Sequence, residues 1–370
     1  MVIGGRLQKT SFFFLKHKPL QMQSRSSKLY EPFVLKFGQN VRTSVSTTAV
    51  FRLHYDLLTN KDVEIKEYIG STPQEARGRL EAELAAYEAN VSVPILARMY
   101  FETGEDCDYA AKFRDSLNVS IFEYEKRIKL NNLKDGFDFL VWLFGGLDHI
   151  HSFEYFGSNK PACVHRELSR TNLKAVKGEY IASLRGFERA ILRESPGSPF
   201  RLGEFVTHSR MSFQLSDWMA QNPTACDHEF RGTEAERLWK MLKHSDVWSA
   251  ALLAFEFITS NKETFDWMDS VEKSVNLEDE FHSEMFFRHA DSFGGLITAI
   301  EKARRRRRSR KDYSLLLDVL LRVLKAVIVP TQNDSSFCLA SDVLAILKNF
   351  WTENEQVRNA FGGYHPVFSS

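Results

Sequence analysis

The sequence predicts an α+β fold, with a small β-rich section carrying one helix followed by a larger, mostly helical section. Three observations carry this. Residues 29–68 run in short stretches of β-branched and aromatic residues, the composition of strands. Thr72-Pro73-Gln74-Glu75 is a helix-start signal. Long apolar segments then follow at Phe137–Ile150, Val247–Ile258, Leu315–Val329 and Leu339–Trp351.

In the first section, Thr59-Asn60-Lys61-Asp62 is a turn cluster, so residues 45–57 and 62–69 read as a hairpin. The helix after it opens with a capping box and places Pro73 at the first helical position, where a missing N–H costs nothing. Ala76, Leu80, Leu84 and Tyr87 define its apolar face. At ~100° per residue, Glu83 falls within that face and Glu81 on the far side. A carboxylate turned into a core needs a partner, and Lys66 at the end of Val63-Glu64-Ile65-Lys66 is the available one. The other reading leaves Glu83 at the edge of the face, reaching water.

In the second section, Phe137–Ile150 is apolar almost all round, as a helix inside a large core is. Residues 191–231 are polar and rich in breakers, beginning with Ser195-Pro196-Gly197-Ser198-Pro199. Residues 260–300 read as helix and loop without a motif. Pro330 stops the helix at Leu315–Val329, and Leu339–Trp351 completes a bundle-like arrangement.

Composition narrows the function classes. At 370 residues, 43% hydrophobic and 13% aromatic, the chain can bury one large or two ordinary cores. A net charge of +1 gives no global attraction to nucleic acid or membrane. Cys107, Cys163, Cys226 and Cys338 form no close-spaced pair, which fits neither a disulfide framework nor a zinc site. That usage suits an intracellular, cytoplasmic or nuclear, compartment. No apolar run reaches the roughly 18–20 residues of a membrane span. Residues 1–28 hold Arg6, Lys9, Lys16, Lys18, Arg25 and Lys28 and no acid. They read as a basic disordered tail, with a transit-type targeting segment as the alternative. Arg304, Arg305, Arg306, Arg307 and Arg308 form the one strong charge run, either a site for nucleic acid or another polyanion or a solvated loop.

The chemistry concentrates between Gly146 and Ala190. Gly146-Leu147-Asp148-His149-Ile150-His151 leads, after an insert at Phe153–Cys163, to Val164-His165-Arg166-Glu167-Leu168; Asn172 follows Glu167 by five residues, and Arg185-Gly186-Phe187 comes next. Downstream stands Ser245-Asp246-Val247-Trp248-Ser249. These blocks, in this order, resemble the eukaryotic protein kinases, whose catalytic loop reads His-Arg-Asp, four residues, Asn. The resemblance covers residues 29–352 and implies a bilobal kinase-like fold. Its N-lobe would be residues 29–115, its C-lobe 116–352, and residues 353–370 a C-terminal tail. Residues 110–117 would cross between the lobes.

The family's residues carry over unevenly. Lys66 and Glu83 stand for the strand lysine and its helix glutamate. Phe37–Val45 stands for the phosphate-cradling loop, but only Gly38 and Val45 match; Asn40 and Thr43 replace glycines that let the backbone approach phosphate. Glu167 occupies the base position with one extra methylene, and Asn172 the metal-binding amide position. Arg185 stands where the family has the metal-binding Asp, and Mg²⁺ wants anionic oxygen ligands. Arg185 is expected either to hold phosphate directly or to pair with Glu83 or Glu167. Residues 191–231 correspond to the activation segment, closed by Gly232-Thr233-Glu234-Ala235-Glu236. Residues 330–344 contain no Arg to brace Glu236 as the family does. Asp246 should brace the catalytic-loop backbone, with Trp248 in the core.

The resemblance thus implies a pseudokinase acting as a scaffold or allosteric partner of another protein. It admits weak or metal-independent ATP binding and argues against Mg²⁺. The alternatives are an atypical active kinase phosphorylating Ser, Thr or Tyr, and a nucleic-acid or chromatin-associated protein acting through the arginine run.

Overall fold

Strands β1 (Leu35–Lys36), β2 (Thr43–Val45), β3 (Ala49–Asp56), β4 (Lys61–Tyr68), β5 (Met99–Tyr100) and β6 (Val119–Glu123) form one antiparallel sheet. Its order is β1-β3-β4-β6-β5, and β2 also pairs with β3. This is a computed structural model; it describes residues 35–36, 43–45, 49–56, 61–90, 99–100, 119–123, 130, 132–155, 157–169, 172–174, 183–203, 211–259, 311–328, 337–365 and 367–368. Residues 1–28, Gly38, the 110–117 crossing, residues 260–300 and Arg304–Arg308 lie outside the described residues.

The hairpin exists as β3 and β4, but the expected strand at 45–57 is divided. Val45 belongs to β2 and faces Val50 of β3, so the chain reverses between them. The run Thr43–Val50 conceals that reversal, because Ser and Thr serve turns while Thr and Val serve strands. β4 has neighbours on both sides, with Lys66 opposite Phe51 of β3 and Ser120 of β6. Side chains two apart share a face of a strand, and Glu64, Lys66 and Tyr68 are all buried. The polar half of this alternation therefore points inward.

Helix α1 (Pro73–Asn90) starts as its sequence indicates. The Glu75 amide donates to Thr72 Oγ1 at 3.2 Å, and the Glu75 carboxylate accepts from the Ser71 amide at 2.6 Å, one residue upstream of the cap. Ala76 and Tyr87 are buried and Leu80 and Leu84 half-buried, with Glu83 fully buried among them. Glu81 is on the outside, paired with Arg77 at 2.8 Å.

The helical section is built on α2 (Leu133–His151), whose first turn is capped by Asn132 Oδ1 accepting from the Asp135 amide at 2.8 Å. The helix packs with α4 (Gly232–Thr259), α5 (Lys311–Ile328) and α6 (Ala340–Glu353), which interleave Phe137, Phe144, Trp248, Phe255, Leu320 and Phe350 in the main core. A side chain at Gly136 would overlap Leu316, so glycine there lets α2 approach α5. Helix α4 corrects a boundary: the stretch expected from Val247 begins at Gly232 and absorbs both the Gly232–Glu236 motif and the Ser245–Ser249 block. No Gly or Pro interrupts Thr233–Thr259, so nothing in the chain ends the helix earlier.

Short ladders join these layers. β9 (Ala162–Val164) pairs with β12 (Ile191–Arg193), and β10 (Leu173–Lys174) with β11 (Ser183–Leu184). β7 (Glu154–Tyr155) and β8 (Ser158–Asn159) form a small hairpin within the insert. β13 (Phe200–Arg201) pairs with β14 (Glu229–Phe230), and α3 (Phe213–Gln221) lies between them in sequence. These last elements share a second core around Trp239, Phe200 and Phe230.

The described residues of the segment 353–370 pack onto the main core. After α7 (Glu355–Ala360), Phe361, His365 and Phe368 gather around Phe137 and Trp351, and His365 Nε2 lies 3.1 Å from Asp138 Oδ1. Among the described residues no helix is long and apolar enough to cross a membrane.

Candidate functional site

The inward face of β4, the middle of α1 and residues 185–188 meet at one buried ionic cluster. Lys66 Nζ donates to Glu83 Oε2 at 2.5 Å and to Glu188 Oε2 at 2.6 Å. Lys66 is 1% exposed and Glu83 0%. The expected Lys66–Glu83 pair is present, and the reading with Glu83 at the edge in water is not. Glu83 is held by three further donors: the Tyr68 hydroxyl to Oε2 at 2.5 Å, and the amides of Gly186 and Phe187 to Oε1 at 3.0 and 3.2 Å. The ammonium also lies 4.8 Å from the centre of the Tyr68 ring. Burial pulls the Lys66 pKa down, but the carboxylates of Glu188 and Glu83 outweigh it and raise it above the ordinary 10.5.

Arg185 is buried and its guanidinium lies 2.9 Å from Glu64 Oε1 on β4. Glu64 was not among the partners expected for it, Glu83 and Glu167. Glu167 faces Arg189 instead, at 3.3 Å. Burial raises the Glu167 pKa above its usual 4.5; Arg189 opposes the shift and Glu188 adds to it.

Asn172 closes the loop that carries Glu167. Its side-chain amide donates to the Glu167 carbonyl at 2.8 Å, while its own carbonyl accepts from the Arg185 amide at 3.0 Å. Gly186 has φ +88°, and any Cβ there would overlap the Asn172 side chain. Glycine is thus required both by conformation and by space.

Asp246 on α4 pins the same loop from the other side. Its Oδ2 accepts from the His165 amide at 2.6 Å and its Oδ1 from the Arg166 amide at 2.8 Å, with His151 Nε2 at 3.0 Å. Arg166 has φ +69°, a left-handed conformation that costs a non-glycine residue about 1 kcal/mol or more. Its guanidinium donates to the Leu202 carbonyl at 2.6 Å. The Glu167 amide donates to His165 Nδ1, so Nε2 carries the proton and donates to the Arg185 carbonyl at 3.0 Å. The His165 ring packs 4.6 Å from Phe187, which also meets the Tyr87 ring of α1 at 5.4 Å. The predicted roles of Asp246 as loop brace and Trp248 as core residue are what the geometry contains.

Lys66, Glu83, Glu167, Asn172 and Arg185 are thus brought into one region. Val45 lies in β2, its side chain outside the described residues, as is Gly38 altogether. Three participants were given no role from the sequence: Glu64 and Tyr68, marked by their two-residue spacing from Lys66, and Glu188, the acid nearest Arg185 in sequence. Arg193 was also unforeseen. It is buried between Phe200 and Trp239 and donates to Glu236 at 2.6 Å, while the Gly197 amide donates to the same oxygen at 3.1 Å. Glu236 is therefore braced from residues 193–197.

The chain matches no protein-family model, and no curated protein matches it.

Proposed function

We propose that this is a degenerate, bilobal protein-kinase-like protein, a pseudokinase that acts as a scaffold or allosteric partner of another protein and transfers no phosphoryl group. One observation carries the reading: each acid where metal chemistry would be needed lies against a cation, two of them sharing one lysine. Glu83 and Glu188 share Lys66, Glu64 faces Arg185, and Glu167 faces Arg189. Phosphoryl transfer rests on positioning and on metal ions that neutralise developing charge. Bound Mg²⁺ would have to strip one of these carboxylates from its partner, with a guanidinium close by. The donor set does not suit that ion. Nucleotide binding, where it occurs, would run through Lys66 without metal.

The kinase-like part of the reading draws on the Lys66–Glu83 pair, on Asn172 closing its loop, and on Asp246 bracing residues 165–166. An active atypical kinase is the second reading, favoured by Glu167, whose raised pKa suits an acid–base group. The separating experiment is transfer of labelled γ-phosphate to generic protein substrates in Mg²⁺ or Mn²⁺. The expected result is no transfer above background. Transfer by the wild type that disappears in Lys66→Arg, which keeps the buried cation, would establish the second reading.

A further inference from the structure

Between β12 and β13 the chain runs Glu194-Ser195-Pro196-Gly197-Ser198-Pro199, and neither serine has a role in the site described above. Each precedes a proline, which biases the serine towards extended backbone and puts a residue without an N–H after its hydroxyl. Ser195–Ser198 is a closed turn. The Ser198 amide donates to the Ser195 carbonyl at 3.1 Å, Pro196 takes the second position, and Gly197 stands third at φ +83°, as a type II turn requires.

The two serines are not equivalent. The Ser198 hydroxyl belongs to the turn: it donates to the Ser195 carbonyl at 2.7 Å and accepts from the Ser195 amide at 3.1 Å. Ser195 is exposed, and its own hydroxyl makes no hydrogen bond among the described residues. Glu236 of α4 fastens the turn from outside. One of its oxygens accepts from Arg193 Nη2 at 2.6 Å and from the Gly197 amide at 3.1 Å, while Arg193 Nε donates to the Ser198 carbonyl at 2.7 Å. Arg193 is buried, with its guanidinium 5.6 Å from the rings of Phe200 and Trp239.

Phosphate on a serine replaces the hydroxyl proton with a bulky anion. At Ser195 that change costs the turn no hydrogen bond. At Ser198 it removes the donor to the Ser195 carbonyl, so phosphate and the closed turn exclude one another.

We infer that this turn is a phosphorylation site for a proline-directed Ser/Thr protein kinase, with Ser195 the acceptor in the closed turn and Ser198 available only when the Glu236 latch lets the turn open. In the transfer, Ser195 Oγ bonds to the γ-phosphorus of ATP and the bond from that phosphorus to the bridging oxygen breaks, releasing ADP. The hydroxyl proton passes to the base of the partner kinase. A reaction confined to an open state is slowed by the fraction of molecules that are open. The chemistry belongs to the partner, so the inference stands apart from the pseudokinase reading.

The full chain is incubated with ATP, Mg²⁺ and a purified proline-directed Ser/Thr kinase, and initial rates at each serine are followed by phosphopeptide mass spectrometry. A synthetic peptide of residues 190–203 gives the kinase's own preference between the two serines. Relative to that peptide, the wild type should favour Ser195 over Ser198 by at least about tenfold. Ser195→Ala should lose most of the phosphate. Glu236→Ala removes the latch, and Gly197→Ala strains the turn at φ +83° without a clash. Each should speed Ser198 about threefold or more, and more than it speeds Ser195. Melting curves check that the variants fold, and the exposed Gly197 keeps the test usable should Glu236→Ala unfold. Absence of phosphate from both serines would overturn the inference, as would the same preference in protein and peptide. An unchanged Ser198 rate in a folded latch variant would overturn it too. Phosphate that appears without added kinase would instead overturn the pseudokinase reading.

Discussion

Asp246 and Glu83 do the same backbone work in different electrostatic surroundings. Each is a buried carboxylate that accepts amides from two successive loop residues: His165 and Arg166 for Asp246, Gly186 and Phe187 for Glu83. Around Asp246 the remaining partner is His151, whose pKa burial lowers below 6.5 despite the carboxylate beside it, so the ring is neutral at pH 7. Around Glu83 the partner is a cation, and a second acid shares it. Asp246 thus shows that a single buried carboxylate can be satisfied by neutral donors. The Lys66–Glu188 pair is then an addition to the brace at Glu83.

The largest effect should come from Asp246→Ala. It orphans two buried amides and removes the support for Arg166 at φ +69°; the expected loss is about 3–5 kcal/mol by denaturant unfolding. Asp246→Asn keeps an acceptor and should lose clearly less. An equal loss in both variants would mean that charge, not hydrogen bonding, holds this loop.

Lys66→Met should cost about 3 kcal/mol, because two carboxylates then remain buried without their shared cation. Adding Glu188→Gln should recover at least about 1 kcal/mol of that, leaving Glu83 with neutral donors as Asp246 has. Additive losses would break the comparison. Gly186→Ala, strained at φ +88° and in conflict with Asn172, should cost about 2 kcal/mol and weaken both loops together.

The pH profile should separate the two centres. His151 and His165, lowered by burial, contribute stability that is complete above pH 6.5 and is lost as pH falls below it. Burial would raise the Asp246 pKa, but the His151 hydrogen bond and its neighbours lower it below 3.8, so its share is lost only at more acid pH. The Lys66 pKa is raised above 10.5, so its contribution is complete below that value and is lost as pH rises through the folded value. In melting temperature against pH, Glu188→Gln should leave the acid limb in place and move the alkaline limb to lower pH. The stability of Glu188→Gln at pH 7 should change least, within about 1 kcal/mol of wild type.

Much of this architecture was legible. The cap at Thr72–Glu75, the burial of Glu83 and the long core helices follow from spacing and residue pattern, the bracing aspartate was what the family resemblance implied, and each recurs in the fold. Boundaries were less so. The Thr43–Val50 run hides a reversal, and α4 runs through two motifs that read as separate blocks. The partners of long-range charges were least legible. Arg185 was expected on Glu83 or Glu167 and is found against Glu64, 121 residues upstream, and Glu236 is found against Arg193.

The sequence by itself determined which residues are chemically unusual: an acid inside an apolar helix face and a lysine in an alternating strand. Those are local facts, set by helical and strand periodicity and by side-chain chemistry. Only the tertiary structure decided who neutralises whom. A buried charge must find a partner, but several candidates satisfy that demand on paper. The choice among them depends on which chain segments the core brings within about 3 Å of one another. That choice placed Glu188 on Lys66.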